Sequence, residues 1–93
     1  MFPDYLDGAK VLEYTDRGRY GYVIEYDEND VPHHKEQYYL AIARYDGDDR
    51  FYLFGCDADF EVMSDSLCDS PEECKSINCY VPDNTIWHKK SEA

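Results

Sequence analysis

"QYYLAIARYDGDDRFYLFGC", residues 37–56, decides the fold of this 93-residue chain. Its first part, 37–45, predicts a strand, and its last part, 50–56, is almost continuously apolar, as is typical of a central strand. Asp46-Gly47 lies between the two parts, and this dipeptide tolerates the positive φ angles that tight hairpin turns require. The stretch therefore predicts an antiparallel hairpin at the middle of a sheet.

Alternation along 37–45 assigns side chains to the two faces of that sheet, because successive side chains of a strand point to opposite sides. One face is predicted to carry Tyr38, Leu40 and Ile42, and the other Tyr39, Ala41, Ala43 and Tyr45. Segments 9–14, 20–26 and 60–65 are predicted as further strands. The stretches between them are rich in Asp, Asn, Gly and Pro, so we expect turns at 15–19, 27–32 and 57–59.

The stretch "CDSPEEC", residues 68–74, predicts the start of a helix. Ser70 is a good N-cap, Pro71 suits the first helical position, and Glu73 completes a capping box. We predict a helix from Pro71 to Cys79, assigned as 70–80, with Cys74 facing the sheet as a small core residue. Residues 85–93 are predicted as a tail that adds a short edge segment, with Trp87 packed back onto the fold.

These elements predict an α+β fold in a single domain, residues 1–93. Its antiparallel sheet of four to five strands spans 9–65, and one short C-terminal helix packs on one face. A helix of about ten residues is only ~15 Å long. Part of the sheet must therefore be covered by side chains alone or by a partner.

The charge of the chain restricts its partners. It has 21 Asp and Glu against nine Lys and Arg, which gives −12. Such a field repels nucleic acid and anionic membranes, so we expect neither as a direct partner. It attracts cationic proteins and can speed their capture. The alternative is that the acidity only keeps the protein soluble.

The N-terminal residues 1–10 lack the basic start and the apolar run of a secretory signal. No stretch approaches the ~20 apolar residues of a membrane span. We therefore expect a cytoplasmic protein whose thiols stay reduced. A disulfide between Cys68 and Cys79 is geometrically feasible but is disfavoured in that compartment.

The spacing of candidate ligands disfavours a metal or cofactor. Four cysteines and three histidines are present, but no Cys-x2-Cys pair stands among them and the spacings fit no common zinc site. The acidic turns lack the spacing of a calcium-binding EF-hand loop. No nucleophile motif and no phosphate-binding Gly loop occurs, and no carboxylate pair is specific for acid–base chemistry. We expect no cofactor and no enzymatic activity.

Tyrosines in the predicted strands and acids in the turns between them suggest a protein-binding surface. Aromatic side chains favour the centre of an interface and polar ones its rim. The candidate partner-binding residues are Asp27, Glu28, Asp30, Tyr45, Asp46, Asp48, Asp49 and Tyr52. The alternatives are ordinary sheet packing with acidic turns, or a homodimer formed through the Tyr-rich sheet face.

The segment "FYLFGCDADFEVMSDSLCDSPEECK" joins an aromatic strand ending in Gly-Cys-Asp to an aromatic-Glu-Val strand, an Asp-rich loop and a helix start. Over about residues 50–75 it resembles small uncharacterised bacterial proteins, some of them grouped with immunity proteins of toxin systems. The chain departs from that pattern at Phe60, where Trp is expected, and at Cys74, where Ala is expected. The resemblance implies a toxin-neutralising protein without catalytic residues, and it transfers no site residue.

Three hypotheses follow. The first is a non-enzymatic, immunity-type inhibitor that uses acids and tyrosines to cover the active or nucleic-acid-binding site of a basic toxin. The second is a phage-type anti-defence protein, such as an anti-CRISPR, that mimics nucleic acid through its acidic surface. The third is a small metal-binding protein or enzyme.

Overall fold

The hairpin predicted from residues 37–56 lies in the middle of the main sheet. The computed structural model describes residues 2–77 and 81–90, and within them it has eight strands and one helix. In chain order these are β1 (Tyr5–Leu6), β2 (Ala9–Thr15), β3 (Tyr22–Tyr26), β4 (Pro32–Glu36), β5 (Tyr39–Arg44), β6 (Phe51–Cys56), β7 (Val62–Cys68), α1 (Pro71–Lys75) and β8 (Trp87–Lys89).

The main sheet is antiparallel, as predicted, and has the order β1-β2-β5-β6-β7, with β8 also paired to β2. It therefore has six strands among the described residues, and the prediction of four to five was too low. Strands β1 and β8 share the outer edge of β2, where β1 pairs with Ala9 and Lys10 and β8 with 13–15. Each is only two or three residues long, which is too short to show a period in the sequence.

A second sheet of two strands, β3 and β4, stands apart from the main one. The prediction of a turn over 27–32 was wrong at its end, because Pro32 already begins β4. Proline is compatible with the first residue of an edge strand, since such a position does not need its N–H for the ladder.

A bulge in β2 changes which side chains face which core. Val11 lies opposite Ala43, but Glu13 rather than Leu12 lies opposite Ile42, so one residue is inserted between them. Val11 and Tyr14 consequently share one face, and Glu13 lies on the other. There Glu13, only 8 % exposed, accepts a hydrogen bond from Lys75 Nζ of α1 at 2.8 Å.

The two faces of the main sheet carry two separate apolar cores, divided by the alternation predicted for β5. The core under the helix contains Leu40, Ile42, Leu53, Cys68, Cys74 and Val81, with Tyr20, Phe51, Ile77 and Trp87 packed against it. The opposite side of the sheet, here called the aromatic face, carries the second core. That core contains Phe2, Leu6, Ala9, Val11, Ala41, Ala43, Phe54 and Cys56. Half-buried rings cover the aromatic face, namely Tyr14, Tyr39, Tyr45, Tyr52 and Phe60.

The helix begins where the sequence predicted but ends sooner. Ser70 Oγ accepts the N–H of Glu73 at 3.1 Å, while the Glu73 carboxylate accepts the N–H of Asp69 at 3.2 Å, one residue before the expected capping-box partner. The helix ends at Lys75 because Ser76 turns back, donating its N–H and its hydroxyl to Glu73 O. Of the remaining predicted helix, 76–77 are not helical and 78–80, with Cys79, lie outside the described residues.

The predicted edge segment of the tail is β8, and Trp87 packs into the core under the helix. Residues 91–93 of the predicted tail lie outside the described residues. No helix in the described part of the chain has the length and apolar character needed to cross a membrane.

Candidate protein-binding surface

Acidic residues concentrate in three turns that contain three acids each: 27–30 between β3 and β4, 46–49 between β5 and β6, and 57–61 between β6 and β7. The first and third turns are built alike. Asp27 Oδ1 accepts the N–H groups of Asn29 (2.8 Å) and Val31 (3.0 Å). Asp57 Oδ1 accepts those of Asp59 (2.8 Å) and Glu61 (3.0 Å). In each turn the first aspartate therefore shapes the backbone, and the others project outward.

Asp27 also has a side-chain partner. Its Oδ2 lies 2.9 Å from His33 Nε2 of β4. The hydrogen bond to His33, followed by those from the N–H groups of Val31 and Asn29, holds the pKa of the Asp27 carboxyl below its ordinary value of 3.8. The 27–30 turn is thus tied to β4 by an ionised aspartate at neutral pH.

The 46–49 turn connects β5 to β6, as the Asp-Gly signal predicted, but through a longer loop than a two-residue turn. Asp48 is engaged in it, because its Oδ1 accepts the N–H of Arg50 at 2.9 Å and its carbonyl accepts Arg44 Nε–H. Asp46 and Asp49 are exposed. Only these two of the three predicted acids present carboxylates without a visible role in the turn.

Tyr45 and Tyr52 lie beside that turn but are half-buried. Their rings meet edge-on with centroids 5.3 Å apart, and Tyr52 stacks on Phe54 at 5.9 Å. Both rings thus cover the aromatic face. The structure thus shows the two rings packed on the sheet, and their part in binding a partner stays a prediction.

The predicted site residues form two surfaces rather than one. Tyr45, Asp46, Asp48, Asp49 and Tyr52 lie at the C-terminal end of β5. Asp27, Glu28 and Asp30 lie at the tip of the β3–β4 hairpin, whose other end leads into the N-terminal end of β5.

The sequence prediction missed an exposed apolar face on that hairpin, residues 22–36, which we call the ribbon. Tyr22, Ile24 and Tyr26 lie on one face of β3 and are 54 %, 44 % and 67 % exposed. Val31, in the turn, is 48 % exposed. In the sequence, Tyr22, Ile24 and Tyr26 stand at every second position of a predicted strand, which places them on one face, but nothing in "YVIEY" shows that this face is exposed.

A buried glutamine anchors the base of the ribbon. Gln37 is fully buried; its N–H donates to Gly21 O at 2.9 Å and its Nε2 donates to Tyr20 O at 2.8 Å. Its Oε1 accepts the Ser64 hydroxyl of β7. The side chain crosses Gly55 of β6, where an added Cβ would lie 1.9 Å from Oε1. The ribbon therefore leaves the main sheet at a fixed, hydrogen-bonded position.

Two open grooves flank these surfaces. One of about 690 Å³ lies beside the 46–49 turn and is lined by Tyr5, Lys10, Arg44 and Tyr45, among others. The other, of about 460 Å³, separates the ribbon from the 57–61 turn and includes Glu25, Glu36, Asp57, Asp59 and Glu61. The second groove continues the negative surface of the ribbon toward the main sheet.

Three of the four cysteines lie in the described part of the chain. Cys56, Cys68 and Cys74 are buried thiols outside any disulfide. Burial raises the pKa of the Cys56 thiol to about 12 and raises that of Cys74 as well, so both stay protonated at neutral pH. Within 2–77 and 81–90, no group of three or more His, Cys, Asp or Glu side chains is placed to hold a metal ion.

No protein-family model, curated protein or solved structure matches this chain. The resemblance over about residues 50–75 therefore stays an expectation. The function has to be argued from the acidic turns and the exposed face of the ribbon.

Proposed function

We propose that this chain is a non-enzymatic, acidic inhibitor of the immunity type, which binds a basic protein and covers its active or nucleic-acid-binding site. The observation that carries the proposal is the ribbon: its tip bears Asp27, Glu28 and Asp30, and its exposed apolar face lies directly behind them. An apolar centre with a charged rim is the usual composition of a protein-binding surface.

The arrangement favours inhibition by protein contact over mimicry of nucleic acid. A mimic needs a continuous run of acids that follows the spacing of phosphates, whereas these acids lie in three separate turns: at the tip of the ribbon, between β5 and β6, and between β6 and β7. Exposed tyrosine and isoleucine side chains contribute nothing to a phosphate-like surface. They contribute to binding when a protein partner removes them from water.

The negative charge and the apolar face of the ribbon act at different stages of binding. The charge of −12 attracts a cationic partner from a distance of about a Debye length, roughly 8–10 Å at ordinary ionic strength. Contact on the apolar face then slows dissociation. We place docking at the ribbon. The second surface consists of Tyr45, Asp46, Asp48, Asp49 and Tyr52; its aspartates add to the long-range field, and its two tyrosines are half-buried.

The test is to capture the partner from an extract of the native host with this 93-residue chain, and then to assay the captured protein. We expect a cytoplasmic protein of high isoelectric point whose own activity, such as nucleic-acid cleavage or binding, is lost at a 1:1 ratio. A specific partner that is neutral or acidic would contradict the proposal. So would a basic partner whose activity is unchanged when it is saturated with this protein.

A further inference from the structure

The ribbon makes its substantial contacts within its own two strands, and neither β3 nor β4 packs against another described element to a similar extent. A two-stranded hairpin alone is marginally stable in water. This one is fixed at its base by Gln37 and at its tip by the hydrogen bonds of Asp27. The ribbon is therefore fixed at both ends, while no other described element packs over it to a similar extent.

The register places the apolar side chains of the ribbon on one face. Tyr22 lies opposite Glu36, Ile24 opposite His34 and Tyr26 opposite Pro32, and directly opposed residues share a face. The rings of Tyr22 and His34 stack with centroids 4.2 Å apart on this face. The other face carries the pairs Val23–Lys35 and Glu25–His33. An exposed apolar face of this kind marks an interaction surface.

The same register determines which backbone groups are unpaired. Gln37 N–H donates to Gly21 O at one end of the ribbon, and Asp27 N–H donates to Val31 O at the other. In an antiparallel pair, hydrogen-bonded and non-hydrogen-bonded residues alternate. The N–H and C=O groups of Tyr22, Ile24 and Tyr26 therefore point away from β4, toward the outer edge of β3, which pairs with no described strand.

The outer edge of β4 is less suited to pairing. It presents Pro32, which has no N–H, and the flanking Lys35 adds a charge of the kind that protects natural edge strands. Strand β3, "YVIEY", has no proline and no lysine, its one charged residue is Glu25, and it is rich in residues that favour strands. The two edges of the ribbon thus differ, and β3 is the one open to another strand.

Charge selects the occupant of that edge. Residues 22–36 contain five acids (Glu25, Asp27, Glu28, Asp30 and Glu36) against one lysine, Lys35, and two histidines, His33 and His34. A second copy of this chain would bring the same acids, and a further −12, against them, so charge opposes self-association. A cationic strand meets a complementary surface on the same edge.

We propose that the outer edge of β3 binds an extended segment of the basic partner in which apolar residues alternate with Lys or Arg. The inference rests on the proposed function and deepens it. Added as a third strand, such a segment extends the apolar face of Tyr22, Ile24 and Tyr26 with its own apolar side chains. Its cations then lie on the other face with Glu25 and near the acids of the tip. Backbone hydrogen bonds supply affinity, and the alternation supplies selectivity.

The experiment measures binding of three synthetic eight-residue peptides to the 93-residue chain by calorimetry, at low and at high salt. One peptide alternates Leu and Lys, the second alternates Ser and Lys with the same charge, and the third is the Leu–Lys peptide with alternate amides N-methylated. We expect the Leu–Lys peptide to bind about tenfold or more tightly than the Ser–Lys peptide. The N-methylated peptide, which cannot donate to the edge, should lose most of that gain.

Matched variants locate the site. Tyr22→Thr with Tyr26→Thr should abolish the preference for Leu–Lys, and thermal unfolding of this variant checks that the fold persists. Leu67→Thr with Ile86→Thr, which changes two other exposed apolar residues, should leave the preference intact. Equal binding of the Leu–Lys and Ser–Lys peptides, full binding of the N-methylated peptide, or a preference that survives the Tyr22/Tyr26 changes would overturn the inference.

The same measurements separate this inference from the proposed function. If the Leu–Lys and Ser–Lys peptides bind equally well and both lose affinity as salt rises, the proposal of an acidic protein-binding surface is kept, and strand addition at β3 is contradicted. If the Leu–Lys peptide is preferred but the captured partner is not basic, the binding site at the edge of β3 is supported, and the proposed inhibition of a basic protein is contradicted. If the chain dimerises with rising concentration and the Tyr22/Tyr26 changes abolish the dimer, the occupant of the β3 edge is a second copy of this chain and not a cationic partner.

Discussion

At the scale of single residues, the structure depends on a polar side chain buried among strands. Gln37 is fully buried, and its amide connects the loop before the ribbon to β7. It fits only because residue 55 is glycine. A buried amide without its partners costs free energy, so these positions depend on each other.

We predict that Gly55→Ala lowers the free energy of unfolding by about 1–3 kcal/mol, because the new methyl group displaces the Gln37 amide from its hydrogen bonds. Urea denaturation measures the loss. In a Gln37→Ala background the same change should cost less, since the clash with the Gln37 amide is then absent and the remaining close contact is with Ser64 Oγ, 2.6 Å from the added Cβ. Equal costs in both backgrounds would show that Gly55 matters for another reason.

A second prediction at this scale concerns Asp27. Its pKa is lowered first by His33 and then by two backbone N–H groups, so the carboxylate stabilises the 27–30 turn when ionised. A group whose pKa is depressed on folding contributes stability above its unfolded pKa, which is near 3.8, and loses it as pH falls through the folded pKa. The turn should therefore loosen only below about pH 4.

The measurement is an NMR titration of the Asp27 carboxyl. We expect a midpoint below 3.8 in the wild-type chain and a rise toward that value in His33→Asn, where the charge-assisted partner is removed. A midpoint unaffected by the His33 change would mean that the backbone N–H groups alone hold the carboxylate.

At the scale of elements, similar turns are built from different residues. The fourth position of each aspartate-capped turn has a positive φ: 58° at Asp30 and 65° at Phe60. Aspartate adopts this conformation readily, whereas a bulky aromatic residue does so at a cost. Phe60 is held there by its neighbours, because its ring lies 4.6 Å from Tyr39 and 5.1 Å from Phe2, between centroids. Tertiary packing therefore overrides local preference in the 57–61 turn.

The helix start supplies the prediction at this scale. Ser70→Ala removes the hydroxyl that accepts the Glu73 N–H, and it should cost about 0.5–2 kcal/mol in chemical denaturation. Ser70→Asp keeps an acceptor at the same position and serves as the matched control, with most of the stability retained. If alanine and aspartate behave alike, the cap contributes less than the packing of Cys74 against the sheet.

At the scale of the whole molecule, the acids form a field as well as local contacts. Rim charges act mainly on association rates, and their influence decreases as salt rises. The ribbon tip, where Glu28 and Asp30 are exposed, lies beside the apolar face, whereas the 46–49 turn lies at the other end of β5. The two turns should therefore differ in their effect on a partner.

We predict that Glu28→Gln with Asp30→Asn slows association with the basic partner several-fold at low salt, and by much less at high salt. Two matched pairs remove the same charge elsewhere: Asp46→Asn with Asp49→Asn, and Asp65→Asn with Asp83→Asn. Stopped-flow measurements should give smaller and similar effects for these two pairs. Equal slowing by all three pairs would assign the acidity to a general field and remove the ribbon tip from the docking edge.

The sequence by itself determined the features that depend on neighbouring residues and on the alternation of apolar side chains along a strand. The alternation in β5 predicted which side chains enter which core, Asp46-Gly47 predicted the hairpin, and Ser70-Pro71 predicted where the helix begins. The net charge of −12 also comes from the sequence alone, and the cationic partner inferred from it stays a prediction. Asp7-Gly8 carried the same hairpin signal: both residues have positive φ in the β1–β2 turn, and the prediction overlooked them.

Only the tertiary structure decided what depends on contacts between distant residues. Strands β1 and β8 exist because β2 offers them an edge, and the helix ends early because Ser76 binds back to Glu73. Tyr52 is half-buried while Tyr22 and Tyr26 are exposed, although all three stand in strand-like sequence. The exposure of these tyrosines depends on whether other parts of the fold pack over their strand. β6 has neighbouring strands on both sides and rings packed over it, whereas among the described strands β3 pairs with β4 alone. The apolar face that we propose as the binding surface therefore could not be identified from the chain alone.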